Sequence, residues 1–407
     1  MKVTDEQQYI INESITWLIK NSKNAHITIG GYAGTGKTFL ISQIRKQIYD
    51  MFPHNFSVGF VTFTGKASFT LRSRLKEEES LFIGDTCGTI HSLIYKPEVE
   101  WNKKEKRMII KRWIRKDKDE ITHSAIIIDE ASMVSSKIWN DLKSYDIPII
   151  AVGDHGQLPP IGDNFSLMSN LDYKLTQIHR QSLQSGIIPL SAFVRKNGYI
   201  PPGKYTDSVF KLDWNTDLCQ KIWNNIDFLN DDVICICGFN QSRVNINNLI
   251  RKKLTYTNII PYPNERIVCL RNNSESGIFN GQIGTVSWVM PPNKSKNICK
   301  MTIQFDGVDE FYDGDVSLLC FGKVAYGEID EPKYITVKGK RKRVYNKGDF
   351  FDYGYTISVH KSQASEFDKV VMFEQRSRYW DDEYYRRWLY TGITRAKKKL
   401  MVISNYY

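Results

Sequence analysis

Through the first half of the chain, short apolar runs rich in β-branched residues alternate with stretches of helical periodicity. The runs are His26–Gly30, Val58–Thr62, Ala125–Asp129 and Pro148–Val152. Runs of this kind, bounded by turn residues, predict strands buried on both faces, as in a parallel α/β sheet. A second set at Val233–Cys237, Tyr355–Val359, Lys369–Phe373 and Leu400–Ser404 predicts a second sheet of the same type. Two stretches break the rhythm. Pro97–Glu120 alternates strand-like pieces with nine basic residues, among them Lys103, Lys104, Lys106 and Arg107, and predicts an inserted basic hairpin. Asn280–Phe350 carries the turn signals Asn280-Gly281 and Asp306-Gly307, the strand-like pieces Gly284–Val289 and Met301–Phe305, and the basic cluster Lys338–Arg343. It predicts a small antiparallel barrel set into the second α/β unit. No internal repeat, low-complexity tract or long linker interrupts the chain, so its domains should be closely joined.

Composition narrows the class. The chain has 407 residues, 41% hydrophobic and 25% charged, enough for two to three domains with ordinary globular cores. No segment approaches the roughly 20 apolar residues of a membrane span; collagen, coiled coil and integral membrane protein are excluded. Residues Met1–Glu13 hold acids and glutamines where a secretory leader needs a basic start and an apolar run, which predicts a cytoplasmic location. Seven cysteines lack any Cys-x-x-Cys pair and should be reduced and buried. The excess of Lys and Arg, +11 in net charge, favours a polyanionic partner without proving one.

Three elements carry chemistry. Gly31-Tyr-Ala-Gly34-Thr35-Gly36-Lys37-Thr38 follows the strand ending at Gly30 and precedes the helical run Phe39–Tyr49, the context a phosphate-binding loop requires. Its glycines let backbone amides face phosphates, Lys37 reaches the outer phosphates, and the Thr38 hydroxyl is a ligand for Mg²⁺. Ala125–Asp129-Glu130 is an apolar strand ending in two acids. Asp129 suits the magnesium shell and Glu130 the activation of water; a bland acidic helix start is the competing account. Gly153-Asp154-His155-Gly156-Gln157-Leu158-Pro159-Pro160 again leaves a strand, and Gln157 is placed to sense a γ-phosphate or an attacking water.

The order of these elements resembles the superfamily 1 helicases, specifically the 1B group containing RecD, Pif1 and the bacteriophage Dda helicase. Thr4-Asp5-Glu6-Gln7 looks like that family's adenine-reading motif, with Gln7 as the base contact. Thr64-Gly65-Lys66-Ala67 and Gly88-Thr89-Ile90-His91 look like its two strand-gripping motifs of the first domain. Leu175–Arg180 looks like the segment that supplies Arg180 to the γ-phosphate. Tyr355–Glu366, with Thr356, His360, Lys361, Ser362 and Gln363, resembles the strand-gripping motif of the second domain, and Leu389–Ala396 the one that carries a second finger, Arg395. At Ala364 the family pattern has glycine, which takes φ > 0 without strain; this leaves open the local backbone path and the ribose contact of Glu366.

The resemblance implies an α/β fold with two RecA-like parallel-sheet domains: domain 1A over residues 1–178 with a hairpin insert, 1B, at 93–122, and domain 2A over 179–407 with an SH3-like barrel, 2B, at about 281–350. It implies an ATP-dependent DNA helicase, moving 5′ to 3′ on single-stranded DNA and unwinding duplex in replication, recombination or repair. The expected cofactors are ATP and Mg²⁺, with Lys37, Glu130, Gln157, Arg180 and Arg395 catalytic, and Gln7, Gly31, Gly34, Thr35, Gly36, Lys37, Thr38, Phe39 and Glu366 on the nucleotide. Thr38 and Asp129 take the metal. Thr64, Lys66, Thr89, His91, Thr356, His360 and Lys361 take the strand, and Trp101 is the expected wedge of the hairpin. Single-stranded and forked DNA are the expected partners, with a single-strand-binding protein or replisome and recombination proteins, for a monomer in a bacterial or phage-infected cytoplasm. A small-molecule kinase and a translocase that does not unwind are the competing readings. DNA-stimulated hydrolysis separates the first, and strand displacement the second.

Overall fold

The computed structural model describes residues 2–20, 25–53, 55–102, 107–160, 165–178, 186–273, 276–292, 297–306, 310–325, 333–337, 340–344 and 348–406. The chain divides into two compact units, Met1–Gln184 and Ser185–Tyr407.

In the first unit the strands are β1 (His26–Gly31), β2 (Val58–Thr62), β3 (Thr86–Thr89), β4 (Tyr95–Asn102), β5 (Arg107–Arg115), β6 (Ala125–Ile128), β7 (Ile149–Gly153) and β8 (Tyr173–Leu175). Six of them form a parallel sheet in the order β3-β2-β6-β7-β1-β8. Both faces are covered. Helices α1 (Asp5–Lys20) and α2 (Lys37–Met51) put Ile10, Ile11, Ile15, Leu40, Ile41, Ile44 and Ile48 on one face. Ile90, Ile94, Ile138, Trp139 and Leu142 cover the other. The three isoleucines of β6 have no exposed surface, and each contributes about 1.5–3 kcal/mol over an exposed one. Polar residues are therefore accommodated only past the strand's end, at Asp129 and Glu130.

The expected basic hairpin is present as β4 and β5, antiparallel from Tyr95 opposite Arg115 to Asn102 opposite Arg107. A two-stranded ribbon is marginal by itself, and this one is fastened at its root. The Tyr145 hydroxyl lies 3.0 Å from the Ile94 carbonyl and 2.9 Å from that of Lys116, and Lys96 pairs with Glu120 at 2.6 Å. The tip, residues 103–106, and the side chain of Trp101 lie outside what the structure describes.

The second unit contains β9 (Gly203–Lys204), β10 (Val209–Asp213), β11 (Val233–Cys237), β12 (Arg266–Cys269), β13 (Ile283–Met290), β14 (Ile298–Phe305), β15 (Phe311–Ser317), β16 (Lys333–Val337), β17 (Lys340–Val344), β18 (Asp349–Tyr353), β19 (Thr356–Ser358), β20 (Phe367–Phe373) and β21 (Ala396–Ser404). Its sheet runs β19-β11-β20-β21-β10-β9, parallel except for the edge pair β9 and β10. The expected barrel closes as β12-β13-β14-β15-β18, and much of the basic cluster lies in β17 of a separate hairpin with β16.

One helix, Asn240–Lys253, ties barrel to sheet through residues four apart. Arg243 pairs with Asp352 of β18 and donates to the Lys323 carbonyl at 2.7 Å. Asn247 donates to the Tyr353 carbonyl and accepts from the Thr356 amide, both at 2.9 Å. Arg251 pairs with Glu265 at 2.7 Å. Spacing of i, i+4 and i+8 puts all three on one helix face. These charges are buried, and removing one partner of such a pair costs about 3–5 kcal/mol.

All seven cysteines are buried free thiols. Among the described residues no helix is long and apolar enough to cross a membrane.

Candidate nucleotide and nucleic-acid site

Since β6, β7 and β1 are neighbours in a parallel sheet, the segments leaving their carboxyl ends converge, and open α/β sheets bind ligands there. All three chemical elements of the sequence arrive at this edge. The loop after β1 turns through Gly34 (φ 81°) and Gly36 (φ 78°) into the first residue of α2, conformations L side chains rarely take. A side chain at Gly31 is excluded as well: its Cβ would stand 2.6 Å from Thr35 Oγ1. Thr35 is buried and its hydroxyl donates to the Tyr32 carbonyl at 2.8 Å. Lys37 Nζ donates to the same carbonyl at 3.2 Å and stands 3.9 Å from Asp154 Oδ2. Thr38 and Phe39 follow, half-buried, in the first turn of α2.

The Thr38 hydroxyl lies 3.5 Å from Asp129 Oδ2. A hydroxyl and a carboxylate side by side beside a phosphate loop form the all-oxygen set that suits a hard divalent cation, so the residues present fit Mg²⁺. Burial pushes the Asp129 carboxyl up, opposed by the Lys37 charge and by the Glu130 amide, which donates to Oδ1 at 2.9 Å. Glu130 itself adopts φ 56°, ψ 40°, a left-handed conformation that costs a non-glycine residue about 1 kcal/mol or more and concentrates at functional sites.

From β7, Asp154 has no exposed surface. Its Oδ1 accepts from the Gly156 amide at 2.9 Å and its Oδ2 from Gln157 Nε2 at 3.4 Å. Asp154 thus links Lys37 to Gln157, a role the sequence analysis did not give it although the residue stood within the quoted motif. Gln7 is also buried. Its Oε1 accepts from the Thr4 amide at 3.1 Å, the Thr4 hydroxyl accepts from the Gln7 amide at 3.2 Å, and Gln7 Nε2 donates to the Thr35 carbonyl at 3.3 Å.

The strand-gripping candidates of this unit sit at the other half of the same sheet edge, after β2 and β3. Thr64 caps helix α3 (Gly65–Glu77), accepting from the Ala67 amide at 3.2 Å, and Lys66 lies in its first turn. Thr89 caps the short helix Ile90–Ile94 by a reciprocal pair with Ser92, and His91 is exposed one residue on. Arg180 lies outside the described residues.

In the second unit β19 and β20 flank β11. Thr356–Ser358 pairs with Cys235–Cys237, whereas Lys369 pairs with Val233. The segment Val359–Glu366 must therefore return from the carboxyl end to the amino end of that strand within eight residues. His360 Nε2 and the Tyr384 hydroxyl lie 2.6 Å apart, and burial pulls the His360 ring below its ordinary value. Burial, reinforced by the Arg243 charge and opposed by Asp352 and Cys269, brings Lys361 down to about 8. Glu366 is exposed. Two candidates are placed otherwise than the sequence suggests. Thr356 has no exposed surface: it lies in the edge strand β19, paired with Cys235 of β11, and the helix that carries Asn247 covers it, the Thr356 amide donating to Asn247 Oδ1. Arg395, only 4% exposed, turns inward. Its guanidinium donates to the carbonyls of Thr391 (2.9 Å), Ser365 (3.0 Å) and Ser362 (3.4 Å) and to the Thr394 hydroxyl (3.1 Å).

Comparison with known proteins follows the same division. Residues 15–163 match the model of an AAA domain, and residues 353–403 that of a UvrD-like helicase C-terminal domain. The RecBCD enzyme subunit RecD of Buchnera aphidicola is 23% identical over 94% of this chain and 70% of its own. The ATP-dependent DNA helicase dda of Enterobacteria phage T4 is 24% identical over 93% of this chain and 94% of its own. Among solved structures, the Bacteroides Pif1 helicase in complex with ADP-AlF3 and ssDNA shares the fold, with a TM-score of 0.55 at 17% identity over 100% of this chain and 93% of that one. By these matches the chain is similar to helicases of the RecD, Pif1 and Dda kind. Relatives differ in length: the chain spans only 34% of a mimivirus protein, R530, that is 30% identical over 40% of this chain.

Against the pattern of these helicases Ala364 is the visible departure, and the backbone keeps the conformation that glycine would have. Ala364 has φ 60°, at the point where Val359–Glu366 doubles back. A Cβ in this region costs about 1 kcal/mol, so Ala364→Gly should stabilise the protein by about that amount. Thermal or denaturant unfolding checks it; a variant of equal or lower stability would show that the alanine methyl contributes packing that outweighs the strain.

Proposed function

We propose that the chain is an ATP-dependent DNA helicase that moves 5′ to 3′ on single-stranded DNA and unwinds duplex, coupled to Mg²⁺-dependent hydrolysis. The observation that carries this is the convergence of Lys37, Thr38, Asp129, Glu130 and Gln157 at one sheet edge, with strand-gripping candidates along its other half. The name borne by the T4 relative supports the substrate and the polarity follows from the family resemblance. Single-stranded and forked DNA, a monomeric motor, cytoplasmic work in replication, recombination or repair, and contact with a single-strand-binding protein or replisome and recombination proteins belong to the same reading.

In this reading Lys37 exchanges the Tyr32 carbonyl for phosphate oxygens, and the loop amides hold the triphosphate. Mg²⁺ held by Thr38 and Asp129 would supply charge neutralisation on the phosphates. Glu130 takes a proton from water as the water oxygen bonds to the γ-phosphorus; the bond from that phosphorus to the bridging oxygen breaks, and ADP leaves. Gln157, steered by Asp154, orients the water. Arg395 and Arg180 serve as fingers, which for Arg395 means exchanging its present carbonyl acceptors for phosphate oxygens. The strand is held through its phosphates by the start of α3, with Thr64 and Lys66, and by Thr89, His91, His360 and Lys361. Binding is therefore sequence-tolerant and salt-sensitive.

Lys361 adds a pH dependence. With its value lowered to about 8, its ammonium is present at pH 7 and lost as pH rises through 8. Affinity for single-stranded DNA should fall across pH 7 to 9 in the wild type and much less in Lys361→Arg, measured by fluorescence anisotropy at fixed ionic strength. Equal pH profiles would remove Lys361 from the DNA surface.

The test of the function is strand displacement from duplexes bearing a 5′ or a 3′ tail, with and without ATP. Unwinding of the 5′-tailed duplex alone is expected. Unwinding from the 3′ tail would reverse the polarity, and hydrolysis without displacement would leave a translocase.

A further inference from the structure

We propose that Glu6 is a positioning residue of the phosphate site. Its carboxylate accepts from the Thr176 amide, 3.0 Å from each oxygen, from the Thr176 hydroxyl at 2.6 Å and from the Gln177 amide at 3.1 Å. Thr176 and Gln177 leave β8 directly, and Leu175, the last residue of β8, pairs with Gly31 at the start of the phosphate loop. The packing there is close: a Cβ on Gly31 would stand 3.1 Å from the Leu175 Cβ. The next residue of α1, Gln7, donates to the Thr35 carbonyl, and its reciprocal bonds with Thr4 fix the geometry of the turn. Two consecutive side chains of one helical turn thus brace the loop, Gln7 at its middle and Glu6 through the strand beside its start. Burial alone would raise the Glu6 carboxyl, but the bonds from Thr176 and Gln177 hold it below its ordinary value, so the brace is intact at neutral pH.

This inference rests on the nucleotide site proposed above. A competing role is available to any acid in a first helical turn, where it favours the helix N-terminus and contributes stability alone. The two roles separate with a ligand that lacks a base. ATP and Mg-tripolyphosphate are titrated calorimetrically into the wild type, Glu6→Ala and Glu6→Gln in the full chain, with thermal unfolding of each. Glu6→Ala should weaken both ligands in parallel by about tenfold, the scale of lost hydrogen bonds to a charged group. Glu6→Gln, which keeps one carbonyl acceptor, should weaken both by less. Affinities within twofold of the wild type, with only the unfolding temperature lowered, would overturn the proposal. So would a loss confined to ATP, which would make the turn a reader of the base. Wild-type protein that binds neither ligand would overturn the nucleotide site first and this inference with it.

Discussion

Replacing Lys37 by alanine, or Glu130 by glutamine, should abolish most ATP turnover while leaving single-stranded DNA bound. Lys37 is the side-chain cation of the proposed phosphate loop, and losing one such preorganised donor costs about a hundred- to a thousandfold in kcat. Glu130→Gln keeps shape and hydrogen-bonding reach but removes the proposed base, worth about a hundred- to ten-thousandfold. Neither residue caps a helix of the strand-gripping set, so DNA affinity without nucleotide should stay within twofold. Steady-state hydrolysis and anisotropy on an oligothymidine check both halves. Hydrolysis retained in both variants would place the reaction elsewhere.

The second large effect concerns the hairpin. Replacing residues 102–107 with a tight two-residue turn should abolish duplex unwinding while DNA-stimulated hydrolysis continues near the wild-type rate. Among the described residues the ribbon of β4 and β5 is fastened at its root, by Tyr145, Lys96 and Glu120 among others, and it contributes no strand to the parallel sheet that bears Lys37 and Glu130. Shortening its far end should therefore leave the nucleotide site undisturbed. A parallel loss of both activities would mean that the hairpin supports the fold and does not split the duplex.

Much of this architecture was legible because parallel strands buried on both faces must be continuous apolar runs, and Ala125–Ile128 or Val233–Cys237 admit little else. The strands that escaped notice lack that signature. Thr86–Thr89 is Thr-Cys-Gly-Thr, recognisable only as a motif, and Tyr173–Leu175 is a three-residue edge. Arg266–Cys269 joins the barrel ahead of the stretch expected for it, through pairings no local pattern announces. At the proposed site, residue types and spacing single out Lys37, Thr38, Asp129, Glu130 and Gln157 as candidates because chemistry restricts what can stand there. Side-chain direction is not local information. That Thr356 faces the interior, that Arg395 is bound to carbonyls, and that Glu6 reaches across 170 positions to Thr176 are consequences of tertiary packing. Ala364 is the reverse case, where the family pattern had already marked the position as one needing positive φ.

Coupling of nucleotide hydrolysis to a single strand is tested most directly by the rate of ATP hydrolysis with Mg²⁺ in the presence and absence of a single-stranded oligothymidine. Stimulation of about tenfold or more, half-saturating at lower DNA concentration as salt is reduced, is the predicted result. A rate indifferent to DNA at every salt concentration would contradict the account and leave a nucleotide-binding enzyme of another kind.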